Sequence, residues 1–249
     1  MTVPMIERQS ANFDDRARAI DMLVLHYTGM TSAEAALDHM CDPAAKVSAH
    51  YLVDEAGAVY ALVPEDKRAW HAGVASWAGV TDINGCSIGI EIANPGHELG
   101  YPAFPEAQMA ALGSLAGDIL ARHSIPARRV LGHSDVAPTR KRDPGERFDW
   151  RRLAREGIGA WPDKLAARAA SPGFSLGDGG EGVGELQKSL ARFGYAVAAD
   201  GTYGEVTEAV ITAFQRHWRP ATVDGIADGQ TRTIVRALLG PVREPDASS

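Results

Sequence analysis

The segment 87–93 reads Ser-Ile-Gly-Ile-Glu-Ile-Ala, and very few local structures accommodate it. Alternation of this kind has the period of a β-strand, turning Ile88, Ile90 and Ile92 to one face and Ser87, Gly89 and Glu91 to the other. One side of this strand belongs in a core; the other carries a carboxylate. Around it, from position 21 to about 162, short apolar runs alternate with longer helical stretches, the texture of an α/β fold. Residues 22–27 (MLVLHY) predict a second strand. A helix follows, opening at Thr31, where Thr31 and Glu34 have the spacing of a capping box. Residues 50–53 and 59–63 predict a hairpin that turns at Gly57. Residues 105–124 predict a long helix with Met109, Leu112, Leu115, Ala116 and Ile119 at helical spacing and Pro105 in its first turn. Residues 129–131 predict a short strand that ends just before His133.

Beyond Pro162 the punctuation changes. An Ala-rich stretch leads into SPGFSLGDGGEGVG, which reads as a linker. Gly177, Gly179 and Gly182 there satisfy a GxGxxG pattern, but no strand leads into it and Asp178 and Glu181 would repel a pyrophosphate. Three helices are then expected over 183–193, 205–218 and 230–239. The matching turns Asp200-Gly201 and Asp224-Gly225 suggest two similar units. The expected organisation is an N-terminal segment 1–20, an α/β domain 21–162, a linker 163–182, a helical domain 183–240 and a tail 241–249.

The 249 residues include 25 Lys and Arg against 32 Asp and Glu, a net charge of −7 that argues against a nucleic-acid partner. No uncharged apolar run reaches the roughly 20 residues needed to cross a bilayer, so no transmembrane segment is expected. The first twenty residues carry Glu7, Asp14 and Asp15 and show no secretory signal. With only Cys41 and Cys86, a reducing compartment is expected, and the cytoplasm is the default.

Eight histidines offer many accidental metal sites, so context must decide between them. His39, His97, His123 and His217 fit surface or capping roles. His26 and His133 differ because each ends a predicted strand, where binding groups gather in α/β folds. Asp143 follows in HSDVAPTRKRDPG, a loop stiffened by proline. Two neutral imidazoles and one carboxylate are a ligand set of catalytic zinc sites, with a position left for water. The ordinary alternative, a solvated Glu91 and an exposed Lys141 with no metal nearby, stands beside it. If the zinc site exists, amide hydrolysis would use Glu91 as a proton acceptor and Lys141 to stabilise an oxyanion.

Five segments taken together, LHYT at 25–28, KVSAHYLVDEAG at 46–57, AWHAG at 69–73, SIGIEIANPG at 87–96 and GHSDVAPTRKRDPG at 132–145, resemble the zinc-dependent N-acetylmuramoyl-L-alanine amidases of the AmpD/AmiD type, the amidase 2 family. The resemblance covers about 21–162. It implies a mixed sheet flanked by helices, one catalytic zinc held by His26, His133 and Asp143, a catalytic glutamate at Glu91 and a catalytic lysine at Lys141. It also implies that Trp70, His71 and Asn94 lie near the substrate groove, while His50 supports the site from behind. The segment DGTYGEVTEAVITAFQRHW (200–218) resembles the three-helix peptidoglycan-binding module. The two-domain arrangement is closer to the AmiD-like members, although no lipoprotein signal is legible.

The implied activity is hydrolysis of the amide between N-acetylmuramic acid, including 1,6-anhydro forms, and L-alanine of the stem peptide, in cell-wall recycling or remodelling. The expected partner is peptidoglycan or a muropeptide, and the expected state is a monomer. The alternative is a non-catalytic peptidoglycan-recognition protein, with the periplasm or cell envelope as the alternative compartment. The intact set of five polar residues argues for the enzyme.

Overall fold

The structure, a computed structural model, describes residues 4–162 and 172–240. Its strands are β1 (Met5–Glu7), β2 (Phe13–Asp15), β3 (Met22–Tyr27), β4 (Tyr51–Val53), β5 (Val59–Ala61), β6 (Lys67–Ala69), β7 (Ser87–Ile92) and β8 (Val130–Gly132). Six of them form one sheet in the order β1-β5-β4-β7-β3-β8, while β2 and β6 make a separate antiparallel ribbon. Only the β4–β5 hairpin is antiparallel within the large sheet; its other neighbours run parallel. The sheet is therefore mixed, as expected.

The helices are α1 (Ala33–Cys41), α2 (Ile83–Cys86), α3 (Glu106–Arg122), α4 (His133–Val136), α5 (Trp150–Arg155), α6 (Glu181–Phe193), α7 (Glu205–Trp218) and α8 (Gly229–Leu239). α1 starts one residue later than the Thr31–Glu34 spacing predicts. Ser32 is the cap, and its hydroxyl accepts from the Ala35 amide at 3.1 Å. Pro105 stands just outside α3 as its N-cap residue.

Strand alternation decides what each face of the sheet does. Leu23, Leu25, Ile88, Ile90 and Ile92 form one core with Met109, Leu112, Leu115 and Ile119 of α3. On the opposite face, Met22, Val24, Leu131 and Val136 share a continuous core with Val183, Leu190, Phe214 and Trp218 from the C-terminal helices. Those helices are thus packed on the sheet rather than hung from it. Trp77, 1% exposed, meets Phe193 and Tyr195 edge-on at 5.7 and 4.9 Å, and the Ala78 amide donates to Gly194 O at 2.7 Å.

The pseudo-repeat predicted from the Asp-Gly turns is present as a repeated hydrogen-bond pattern. The buried Gln187 amide donates to Asp200 Oδ1, Thr202 O and Thr207 Oγ1, and its carbonyl accepts from the Gly201 amide. Gln215 repeats this with Asp224 Oδ1, Ile226 O, Thr231 Oγ1 and the Asp224 and Gly225 amides. Each glutamine pins one Asp-Gly turn to the helix it precedes.

Two segments set apart by sequence reasoning belong to these units. β1 of the N-terminal segment 1–20 pairs with β5, and β2 pairs with β6. Of the linker 163–182, residues 163–171 lie outside the described residues, as does the tail 241–249. The remainder bridges to the helical unit through Phe174 with Ala227 and Gly179 with Thr202. Cys41 and Cys86 are free thiols. No helix among the described residues is long and apolar enough to cross a membrane.

Glu65 ties the hairpin region to the end of α3. It accepts from Tyr51 Oη at 2.8 Å, Arg122 Nη2 at 2.7 Å and His123 Nε2 at 2.7 Å. Burial alone would raise its pKa, but the bonds from Arg122, His123 and Tyr51 outweigh that and hold it down to about 2. A carboxylate depressed on folding contributes stability above its unfolded pKa and loses it as pH falls toward the folded value. Glu65→Gln is therefore expected to cost roughly 2 kcal/mol at pH 7, with the difference from wild type fading between about pH 4.5 and 2. Urea unfolding at several pH values checks this; a deficit independent of pH would contradict it.

Candidate active site

The parallel register of β3 and β7 sets His26 directly beside Glu91, and Val24 beside Gly89. Both pairs point away from α3. The next strand in the sheet, β8, delivers His133 at its end, as the first residue of α4. The loop that follows brings Asp143 back, with the Ser134 amide donating to Asp143 O at 2.9 Å. The three side chains meet: His26 Nδ1 is 2.9 Å from His133 Nδ1 and 3.1 Å from Asp143 Oδ2, and His133 Nδ1 is 3.0 Å from that same oxygen. All three residues are buried.

Hydrogen bonds behind the imidazoles determine what this triangle contains. His133 Nε2 faces the Ala72 carbonyl at 2.9 Å, which can only accept, so Nε2 carries a proton and, in the neutral ring that a metal requires, Nδ1 has the lone pair. For His26 the argument runs through two more residues. The Ser87 hydroxyl donates to Ile83 O at 2.6 Å, leaving its oxygen to accept from His71 Nε2–H at 3.1 Å. His71 Nδ1 then accepts from His26 Nε2–H at 3.0 Å, and His26 Nδ1 also presents a lone pair. Gly89 makes room for this relay, since a Cβ there would lie 2.4–2.7 Å from the His71 ring.

Burial, reinforced by His133 nearby, lowers the His26 pKa to about 4, so the ring is neutral at pH 7. Two imidazole lone pairs and a carboxylate oxygen about 3 Å apart repel unless a cation lies between them. Ligand distances of roughly 2.0–2.2 Å are compatible with such a triangle, and a fourth position stays open. The donor set fits a divalent cation.

A cavity of about 460 Å³ opens onto this point, lined by His71, Glu91, His133, Lys141 and Asp143, with Tyr27 and Arg140 among its walls. The Glu91 Oε2 atom is buried and has no hydrogen-bond partner among the described residues. Burial, reinforced by Asp143 and opposed by Lys141, raises Glu91 well above the usual carboxylate range. A carboxyl group shifted in this direction at a polar cavity suits proton transfer.

The other predicted residues divide. His71 lines the cavity and props His26. Trp70 is not among the cavity residues: its indole donates to Asp14 Oδ2 at 2.7 Å and the Lys46 ammonium lies 5.9 Å from its ring. Asn94 is buried, donating to Pro102 O and accepting from the Gly96 amide, so it braces its own loop. His50 accepts from the Gly89 amide through Nδ1 and lies 5.9 Å, centroid to centroid, from His71, a supporting position.

Sequence reasoning missed Tyr27, His39 and Arg140 as cavity residues. Arg140 donates to Ala72 O, the carbonyl that orients His133, and neighbours Lys141 in the basic run. His217 is no surface residue: it is 2% exposed, bonded to Asp135 and stacked between Trp150 and Trp218.

Comparison with known proteins places this geometry. Residues 16–146 match the N-acetylmuramoyl-L-alanine amidase family, and residues 179–235 match a peptidoglycan binding domain family. The chain is 39% identical to the N-acetylmuramoyl-L-alanine amidase AmiD of Escherichia coli, over 94% of this chain and 90% of that one. It is 41% identical to the 1,6-anhydro-N-acetylmuramyl-L-alanine amidase AmpD of Citrobacter freundii, over 43% of this chain and 56% of that one. Among solved structures, E. coli AmiD in complex with anhydro-N-acetylmuramic acid-L-Ala-D-gamma-Glu-L-Lys superposes with a TM-score of 0.78, covering 91% of both chains at 39% identity. AmpDh3 from Pseudomonas aeruginosa in complex with anhydromuramic pentapeptide gives 0.72 at 32% identity, covering 87% and 89%.

The relay behind His26 is testable without substrate. Gly89→Ala would force the His71 ring away from His26, so affinity for a divalent cation should fall by about ten-fold or more while the circular dichroism spectrum is kept. Competition with a chromophoric chelator measures this; unchanged affinity would show that His71 does not hold His26.

Proposed function

The chain belongs to the N-acetylmuramoyl-L-alanine amidase family, and we propose that it works as a zinc enzyme with His26, His133 and Asp143 as ligands, Glu91 as proton carrier and Lys141 as oxyanion stabiliser. It hydrolyses the amide between N-acetylmuramic acid and L-alanine of peptidoglycan stem peptides. The observation that carries the metal reading is the convergence of His26 Nδ1, His133 Nδ1 and Asp143 Oδ2 to about 3 Å of one another, beside a buried Glu91 oxygen without a partner among the described residues.

Zinc, when bound, supplies Lewis-acid polarisation of water and of the scissile carbonyl. The protein's own groups do the rest. Glu91 takes a proton from the attacking water and returns it to the departing amine of L-alanine. Its raised pKa favours holding that proton between the two transfers. Lys141, which lines the same cavity, offsets the negative charge that develops on the carbonyl oxygen. His71 and the Ala72 carbonyl keep the two imidazoles in the tautomer that presents Nδ1.

Both solved relatives described above hold anhydromuramyl peptides, which supports a soluble anhydromuropeptide as the substrate and recycling as the setting. A soluble fragment is also a substrate that a cytoplasmic enzyme would meet. The helical unit matching the peptidoglycan binding domain family would add affinity for longer glycan.

Glu91→Gln should retain one zinc per chain and lose turnover by a factor on the order of 10² to 10⁴, and Lys141→Ala should lower kcat with zinc retained. Metal analysis beside product release from anhydromuramyl tripeptide checks both. A fully active Glu91→Gln variant would remove Glu91 from the mechanism. Digestion of soluble anhydromuropeptide should also outpace digestion of intact sacculi, and the reverse order would contradict the recycling role.

A further inference from the structure

Asp135 lies two residues beyond His133, and its side chain is fully buried at the junction between the sheet and the C-terminal helices. Its carboxylate has three donors. Oδ2 accepts from the Gly132 amide at 2.8 Å and from His217 Nδ1–H at 2.7 Å, while Oδ1 accepts from Tyr195 Oη–H at 2.6 Å. Only Gly132 is local. Tyr195 follows α6 and His217 belongs to α7, so the helical unit supplies two of the three bonds.

Those two donors are themselves fixed. The His217 ring stacks on Trp150 at 3.6 Å and 17° and on Trp218 at 3.6 Å and 5°. Tyr195 is 2% exposed and packs edge-on against Trp77. On the other side, the bond from Gly132 to Asp135 closes a loop around the backbone of His133. The position of that carboxylate therefore decides how the turn bearing His133 is set relative to Ala72 and Asp143.

We propose that the C-terminal helical unit is a working part of the metal site, with Asp135 as a positioning residue and Tyr195 and His217 as its remote anchors. This rests on the zinc reading above. Losing either anchor leaves a buried carboxylate oxygen short of a donor, which it recovers only by shifting or admitting water. Either response displaces the His133 turn. The unit thus braces the catalytic centre whether or not it also binds glycan, and its removal would weaken metal retention before any effect on wall binding is considered.

The test measures zinc affinity of the full-length folded protein by chelator competition, together with thermal stability. Tyr195→Phe deletes one donor without changing ring packing, and His217→Leu deletes the other. His217→Asn keeps a donor near the Nδ1 position. Tyr203→Phe breaks the bond to Gly225 O inside the helical unit and serves as control. Zinc affinity is expected to fall about ten-fold in Tyr195→Phe and in His217→Leu, to recover most of the way in His217→Asn, and to stay at the wild-type value in Tyr203→Phe. If Tyr195→Phe and His217→Leu lose thermal stability yet bind zinc like wild type, or if Tyr203→Phe loses zinc equally, the bracing role is overturned. A wild-type protein that binds no zinc would instead overturn the reading on which it rests.

Discussion

Three lone pairs held about 3 Å apart are an expensive arrangement, and much of this structure can be read as the means of holding them there. His26, His133 and Asp143 come from a central strand, a strand end and a stiff loop, and each is fixed by bonds on the side away from the shared point. Neutral, correctly protonated imidazoles are as necessary as short distances. The Ser87–His71–His26 relay and the Ala72 carbonyl supply that protonation pattern. The β3–β7 register then places Glu91 beside His26 without any further device.

The same sheet serves two cores, and this explains how the C-terminal helices come to matter to the site. One face packs under α3, and its core reaches the C-terminal helices through Trp150, which stacks on His217. The other ends in the site and continues, through Met22, Val24, Leu131 and Val136, into the interior of the helical unit. The close contact of Trp77 with Gly194, where a Cβ would lie 2.4–2.8 Å from the indole, shows how tightly the two halves are fitted. Separating them would expose several buried aromatic side chains, each worth roughly 2–3 kcal/mol of burial.

Much of the site is legible in the sequence, because its chemistry is carried by residues that stand out from the local pattern: histidines at strand ends, and a glutamate on a strand whose opposite face is all isoleucine. The helices of the C-terminal unit follow equally from their apolar stripes. What the sequence conceals is which partner a polar residue finds. His217 reads as an ordinary helix residue until the fold brings Asp135, Trp150 and Trp218 to it. Asn94 and Trp70 carry motif positions but spend their polar atoms on Pro102, Gly96 and Asp14. The short strands β1, β2 and β6 have three residues each, too few for alternation to show, and they exist because β5 and each other complete their hydrogen bonds.

The mechanism and the bracing role both require one zinc ion at the junction of these three side chains. Zinc K-edge X-ray absorption of the purified full-length protein, compared with His133→Ala, tests it most directly. A single zinc site with two imidazole nitrogens and oxygen donors at roughly 2.0–2.2 Å is expected, with loss of that signature in the variant. A wild-type spectrum with sulfur in the coordination shell, or the same spectrum in the variant, would contradict it.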